Sequence, residues 1–339
     1  MSTRSFRAFR IHNDDAGYRA GIESMRADDL STGEVLIRTE YSSVNYKDAL
    51  AGTGKGKILR KSPLNGGIDV AGHVVESSNP AFKEGDAVLC TGCGLSETRD
   101  GGYAEYARLK SEWTIPLPRG LTLRESMILG TAGFTAALAL LRMRDNRQSP
   151  GLGPIAVTGA TGGVGMLATD IFARAGFEVH AISGKPDHSD FLRTLGAKQV
   201  LDRRGLNLGN HALGNKPLEQ VRFGGAVDSA GGKWLAQLLA CTQAYGNVAS
   251  IGLAADSKLD TTVMPFIIRG VSLLGIASAG TARDIREEIW RRLASDWKPG
   301  HLDAICTDEI TLDGLPPVFD TMLQGRSFGR TLVRIGASA

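Results

Sequence analysis

Thr158–Gly165 reads TGATGGVG and sits between a short β-branched run, Ile155–Val157, and the helix-forming stretch Met166–Ala175. A strand that turns through glycines into a helix makes a phosphate-binding element. The glycines permit the tight bend and let backbone N–H groups approach a pyrophosphate, and the helix N-terminus adds unpaired donors and the positive end of its dipole. A glycine pattern alone is weak, but the strand–turn–helix context makes it specific. Thr161, Gly162, Gly163, Val164 and Gly165 are therefore the expected pyrophosphate contacts; a glycine-rich turn without a ligand is the alternative.

Outward from this turn the pattern repeats. Strands are expected at Glu178–Ser183, Gln199–Leu201, Gly225–Asp228, Gly246–Ile251 and Val271–Ile276, with helices at His188–Leu195 and Lys233–Cys241 between them. Strand–helix alternation at this spacing predicts a doubly wound parallel sheet. A helix over Thr131–Leu141 (TAGFTAALALL) precedes it, and an amphipathic helix over Ala282–Ala294 follows, with Ile285, Ile289 and Leu293 on one face. Residues 1–127 differ in period. Short Gly-punctuated runs at Arg4–His12, Glu34–Tyr41, Gly66–Glu76, Asp86–Leu89 and Gly101–Leu109 predict a partly open β-barrel, to which Leu332–Ile335 adds a late strand.

The end of the second strand of the sheet reports on the cofactor. Sites for NAD place a carboxylate there to bond the ribose 2′-hydroxyl. Here the strand runs into Ser183–Gly184–Lys185. A hydroxyl and an ammonium suit a 2′-phosphate, so NADPH is favoured over NADH. Arg203 is a candidate second cation, with a plain surface arginine as its alternative. Asp187 is a counter-signal, since a shifted turn would bring it to the ribose.

Bulk properties narrow the class. The 339 residues are 42% hydrophobic and carry a net charge of +3 without a long basic run, which gives no footprint for nucleic acid. Four cysteines (Cys90, Cys93, Cys241 and Cys306) make no disulfide framework. The first residues lack the apolar core of a secretory signal, and no apolar run is expected to reach the length of a membrane span. The expectation is a cytoplasmic protein with no membrane contact.

Seven segments in order carry a family resemblance: Ser42–Leu50 (SSVNYKDAL), Thr53–Ile58 (TGKGKI), Gly67–Gly72 (GIDVAG), Gly130–Ala136 (GTAGFTA), Thr158–Gly165, Thr262–Arg269 (TVMPFIIR) and Gly329–Val333 (GRTLV). With these the chain resembles the quinone oxidoreductase-like branch of the medium-chain dehydrogenase/reductase superfamily, and within it the acrylyl-CoA reductase group. The resemblance spans essentially the whole chain. It implies an α/β fold: a Rossmann NADPH-binding domain over residues 128–278, cradled by a GroES-like β-barrel domain from residues 1–127 and 279–339, with the active site in the cleft between them. It also implies nicotinamide contacts near Leu253, Ile267 and Ser278, and a C-terminal loop in which Gly325 permits close approach and Arg330 meets a cofactor phosphate or serves as a strand-edge arginine.

Zinc-dependent relatives hold Cys and His ligands at places that correspond to SVNYKD and GIDVAG. Here these segments supply Asn45, Tyr46, Lys47, Asp48, Ile68 and Asp69 instead. Catalytic zinc needs three protein ligands, so a zinc-independent reaction is expected. Reduction of a polarised alkene needs no Lewis acid: hydride goes to the β-carbon, hydrogen bonds hold the enolate oxygen, and the α-carbon is protonated. By resemblance Tyr46 lies beside the nicotinamide, either as proton or hydrogen-bond donor or as a packing residue. Asn45 shapes its loop and Asp48 reads as a cap.

Lys55, Lys57, Arg60 and Lys61 follow this loop, either as a rim for the phosphates of an acyl-CoA or as a solvated basic loop. Three function classes stand: an NADPH-dependent acrylyl-CoA reductase, a reductase of quinones or unsaturated carbonyls, and a non-catalytic NADPH-binding sensor. The apolar segment Val263–Ile276 predicts a homodimer or higher homo-oligomer.

Overall fold

In the computed structural model, residues 5–202 and 217–336 are described. The chain divides into two compact units, one of Met1–Thr131, Ala279–Ala294 and Leu302–Ala339, the other of Ala132–Ser278 and Ser295–His301.

The second unit carries a six-stranded sheet. In spatial order its strands are Ala197–Asp202, Val179–Ser183, Ile155–Thr158, Phe223–Asp228, Thr242–Ser250 and Ser272–Gly275, or 3-2-1-4-5-6 by their order in the chain, all parallel. This is the doubly wound order of dinucleotide-binding sheets, whose ligands lie outside the carboxyl ends of the strands. Both faces are covered, so the first strand, Ile155–Thr158, is buried throughout. Residues 295–301 pack with this unit although they follow the helix Arg283–Leu293 of the other. The buried Asp170 carboxylate accepts hydrogen bonds from Gly300 N and His301 N, each at 3.0 Å, and the Arg144 guanidinium lies over Trp297.

The first unit is β-rich, and its largest sheet joins late strands of the chain to early ones. Cys306–Ile310 pairs in parallel with Arg330–Arg334, which pairs antiparallel with Val35–Ser43, and the sheet continues through Asp69–Ser77, Ala87–Thr91 and Ile115–Pro116. A smaller sheet holds the hairpin Phe6–Asp14 and Gly17–Met25, with Leu64–Asn65 on its other side. The barrel interior is apolar: Val35, Ile37, Val70, Val74 and Val88 pack in one cluster.

Several elements have no counterpart in the expected pattern. The strand Gly17–Met25 is largely exposed and so carries little apolar alternation. The helices Tyr46–Gly52, Met264–Arg269 and Leu315–Leu323 are too short for a clear helical period. The expectation that no run could span a membrane is corrected: Leu123–Asp145 is long and apolar enough by composition. Its apolar side chains, among them Met127, Leu129, Phe134 and Leu140, are buried in protein, and it bends at Gly130.

Candidate functional site

The glycine turn is built as its spacing predicts. Gly162 stands at the N-cap of the helix Gly163–Arg174, and no side chain caps it. Met166 N is the donor to Gly162 O, so the N–H groups of Gly163, Val164 and Gly165 lie ahead of the helical ladder. A Cβ at Gly165 would come within 2.3 Å of Gly159 O, so only glycine allows the helix to pack this close to the turn. Thr158 Oγ1 donates to Asp228 Oδ1 at 2.6 Å, which ties the first strand to the fourth beside this turn. Asp228 is buried and receives Ala230 N and Gly231 N as well, which shapes the next strand end. Burial raises its carboxyl above the usual range.

The second strand ends on Ser183, a buried residue whose Oγ accepts from Lys185 N at 3.0 Å and lies 3.5 Å from Thr161 Oγ1. Lys185 is half-buried, and desolvation lowers its ammonium pKa below the ordinary value. No carboxylate stands on residues 183–185, while Asp187 is exposed one turn further on. Arg203 lies outside the described residues. A cavity of ≈ 200 Å³ opens past the fourth and fifth strands, lined by Gly231, Gly232, Ser250, Leu253 and Asp256 among others. This donor set suits a phosphate-rich dinucleotide: uncapped amides at a helix start, then a hydroxyl and a cation at the next strand end. Leu253 and Ile267 are strongly exposed, at 63% and 70%, and Ser278 opens a short 3-10 turn.

In the first unit, Tyr46 is the first residue of the helix Tyr46–Gly52 and is 47% exposed. Asn45 is its N-cap. Asp48 closes a capping box: its Oδ2 accepts from Asn45 N at 2.9 Å, and its Oδ1 from Ile68 N at 2.9 Å. Asp48 is thus the cap that its position suggests. It is fully buried, and desolvation, followed by the nearby Asp69 charge, pushes its carboxyl up to about 7.

Behind this helix lies a buried cluster. The Asp69 carboxylate accepts Asn45 Nδ2 and Ser43 Oγ at 2.7 Å, and Thr131 Oγ1 at 2.6 Å. Asn45 Oδ1 accepts from Arg330 Nη1 at 3.1 Å. The Arg330 guanidinium also donates to Ile128 O, Val44 O and Ser43 Oγ, and approaches Asp69 Oδ2 at 3.9 Å. The expected phosphate role of Arg330 is corrected on this geometry: the side chain is 3% exposed and its donors are committed inside the unit. Gly325 has a local role in the fold as well. With φ +69 and its N–H on Met322 O, it ends the helix Leu315–Leu323 in the left-handed conformation that favours glycine.

Four of the segments behind the resemblance converge here, through Ser43, Asn45 and Asp48, through Asp69, through Gly130 and Thr131, and through Arg330. Gly130 has φ +48, and a Cβ on it would come within 2.5 Å of Asp69 Oδ2. Asp69, Ser43, Thr131 and Asp228 were not among the candidates read from sequence. The one available signal for Asp69 was a carboxylate flanked by Ile68 and Val70 in a strand, a charge that burial obliges to find partners. Of the basic segment, Lys55, Lys57 and Lys61 are exposed, whereas Arg60 Nε pairs with Glu97 Oε1 at 3.0 Å. Glu97 also takes the Lys47 ammonium. Among the described residues, no group of three or more His, Cys, Asp or Glu could hold a metal ion.

Comparison with known proteins places this geometry. The alcohol dehydrogenase GroES-like domain family matches residues 31–119, and the zinc-binding dehydrogenase family matches residues 163–295. YhfP of Bacillus subtilis (strain 168), provisionally named a quinone oxidoreductase, is 43% identical over 99% of this chain and 100% of its own length. Its structure, solved with NAD bound, covers 98% of this chain and 100% of that one at a TM-score of 0.92. The acrylyl-CoA reductase AcuI of Ruegeria pomeroyi is 40% identical over 98% of this chain and 100% of its own. The YhdH oxidoreductase of Salmonella enterica, solved in complex with NADP, is 42% identical, covers 97% of this chain and 100% of its own, and has a TM-score of 0.92.

Proposed function

This chain belongs to the medium-chain dehydrogenase/reductase superfamily and is an oxidoreductase, and on that premise we propose that it reduces an α,β-unsaturated acyl-CoA, acrylyl-CoA above all, with NADPH and without zinc. The observation that carries the reading is the end of the second strand, where Ser183 and Lys185 stand in place of a carboxylate. The full-length likeness to an acrylyl-CoA reductase and to an oxidoreductase solved with NADP supports it.

NADPH, when bound, supplies the hydride. The N–H groups of Gly163, Val164 and Gly165, with Thr161 and Gly162 forming the turn, hold its pyrophosphate. Ser183, Gly184 and Lys185 take the 2′-phosphate, with Arg203 as the further cation. Leu253, Ile267 and Ser278 line the nicotinamide, and the loop at Gly325 adds a close backbone approach. Tyr46, held at a helix start by Asn45 and Asp48, donates from its phenol to the substrate oxygen, where charge develops as the β-carbon is reduced. Lys55, Lys57 and Lys61 meet the phosphates of CoA, and Arg60, shared with Glu97, borders them. Zinc has no part in this reading because residues 45–48 and 68–69 hold neither Cys nor His, and Asp69 is already bonded on every side.

The proposal extends to a cytoplasmic homodimer or higher homo-oligomer. All four cysteines are free thiols, as a reducing compartment favours. Val263, Ile267, Ile268 and Tyr245 expose apolar surface on the unit whose sheet ends on the edge strand Ser272–Gly275. A monomeric mass in solution would overturn the oligomer.

The deciding experiment follows loss of NADPH absorbance with acrylyl-CoA beside crotonyl-CoA, a simple benzoquinone and NADH. Fast turnover with acrylyl-CoA and NADPH, slow with the rest, is expected. Turnover with the quinone alone would favour the second reading, for which the name of YhfP speaks.

A further inference from the structure

Outside the proposed site, the sequence holds one more arrangement of reactive groups. Cys90 lies in the strand Ala87–Thr91, and Cys93 follows in the turn after it. The turn is unusual: Gly92, Cys93 and Gly94 have φ of +69, +52 and +79 in succession. A side chain on left-handed backbone is uncommon and is kept where the surroundings hold it. Here Cys93 N donates to Ala279 O at 3.2 Å, and Gly92 N to Ile68 O at 2.8 Å. Both thiols belong to one packed cluster with Leu95 and Val88, Cys90 fully buried and Cys93 at its rim.

The surroundings of this pair are cationic. The Arg286 guanidinium donates to Thr91 O and Thr91 Oγ1, between the two cysteines in sequence, and its charge reaches both thiols. Arg99 sends Nη2 to Thr32 O, but its Nη1 is buried with no hydrogen-bond partner. A buried donor without an acceptor is costly and favours an anion nearby. Glu112 opposes these charges at Cys93. The neighbouring Cys90 thiol draws Cys93 down to about 7 against the pull of burial, while Cys90 is itself pushed up. Cys241 and Cys306 are both raised by burial, so Cys93 is the one thiol among the four with a lowered value.

We propose that Cys90 and Cys93 form a reversible dithiol–disulfide site, with Cys93 as the attacking thiolate, Cys90 as the resolving thiol and hydroperoxides as the oxidant. Neither the proposed reductase chemistry nor the segments SVNYKD and GIDVAG include these two residues. The Cys93 thiolate attacks one peroxide oxygen: an S–O bond forms, the O–O bond breaks, sulfur is oxidised, and the other oxygen leaves as water after taking up a proton. Cys90 Sγ then attacks the sulfenic sulfur. The S–S bond forms, the S–O bond breaks, and the hydroxyl leaves as water with the proton from Cys90. Two thiols and one hydrogen peroxide give one disulfide and two waters, and a dithiol reductant reverses the step.

The test uses the full chain and needs no substrate, so it is independent of the reductase reading. Protein is treated with hydrogen peroxide, remaining thiols are blocked with N-ethylmaleimide after unfolding, and peptides are mapped by mass. Cys90 and Cys93 should lose their label together and appear in one linked peptide, about tenfold faster than Cys306 is oxidised, and regain it after dithiothreitol. In Cys90→Ser, Cys93 should instead form a dimedone adduct of its sulfenic acid. Without any variant, alkylation of Cys93 by iodoacetamide should rise with pH through about 7. Full labelling of both residues after peroxide, or oxidation of Cys306 ahead of them, would overturn the site.

Discussion

The cluster around Asp69 and the turn at Gly162–Gly165 are both assembled from family-diagnostic motifs, yet they spend their polar groups in opposite ways. Around Asp69, oxygens and guanidinium nitrogens are bonded to one another inside the first unit. At the turn, three amides precede the helical ladder without a side-chain cap. A satisfied buried network fixes a backbone, whereas unspent donors at a helix start await an anion. Motifs of equal diagnostic value can therefore close a polar network in one unit and leave uncapped amides at a helix start in the other.

The contrast is broken most severely at Arg330. Arg330→Met leaves Asp69 and Asp48 buried with their cation gone, and should cost about 3–5 kcal/mol in urea unfolding. If Arg330 were instead a phosphate partner, the variant would keep its stability and lose NADPH affinity. Tyr46→Phe keeps the ring and the helix but removes the donor. Its kcat should fall about a hundredfold, with the cofactor Kd little changed; an unchanged kcat would make Tyr46 a packing residue. In the second unit, Lys185→Ala should weaken NADPH about tenfold by fluorescence titration and leave NADH unaffected. Equal losses for the two cofactors would remove Lys185 from the 2′-phosphate.

Asp48 sharpens the comparison through pH. Its carboxyl, 3.8 when unfolded, is pushed up to about 7 by burial and by Asp69, so the folded state holds the extra proton in between. The contribution is fully present below about 4 and is lost as pH rises through 7. Asp48→Asn should flatten the fall of the urea midpoint across that window. An unchanged slope would show that Asp48 titrates as an ordinary carboxylate.

The parallel sheet was legible because buried strands and intervening helices write different periods into the chain, and its six strands were expected close to where they lie. The glycine turn was legible because no other residue fits at Gly165. Arg330 was left open between a phosphate partner and a strand-edge arginine, because an arginine carries the same chemistry whether it meets a ligand or a buried aspartate. Gly325 carries a double signal for a similar reason: a left-handed helix end and a close approach to a ligand both call for glycine.

By itself, then, the sequence determined what depends on local order along the chain: the alternation of strand and helix, the tight turn before Gly163–Arg174, and the absence of a carboxylate at residues 183–185. Only the tertiary structure decided how charges pair. Asp69 and Arg330 stand 261 positions apart, yet their partners Ser43, Asn45 and Thr131 bring them into one buried network. Hydrogen bonds and charges act through space over a few ångströms, and folding alone sets which groups come that near.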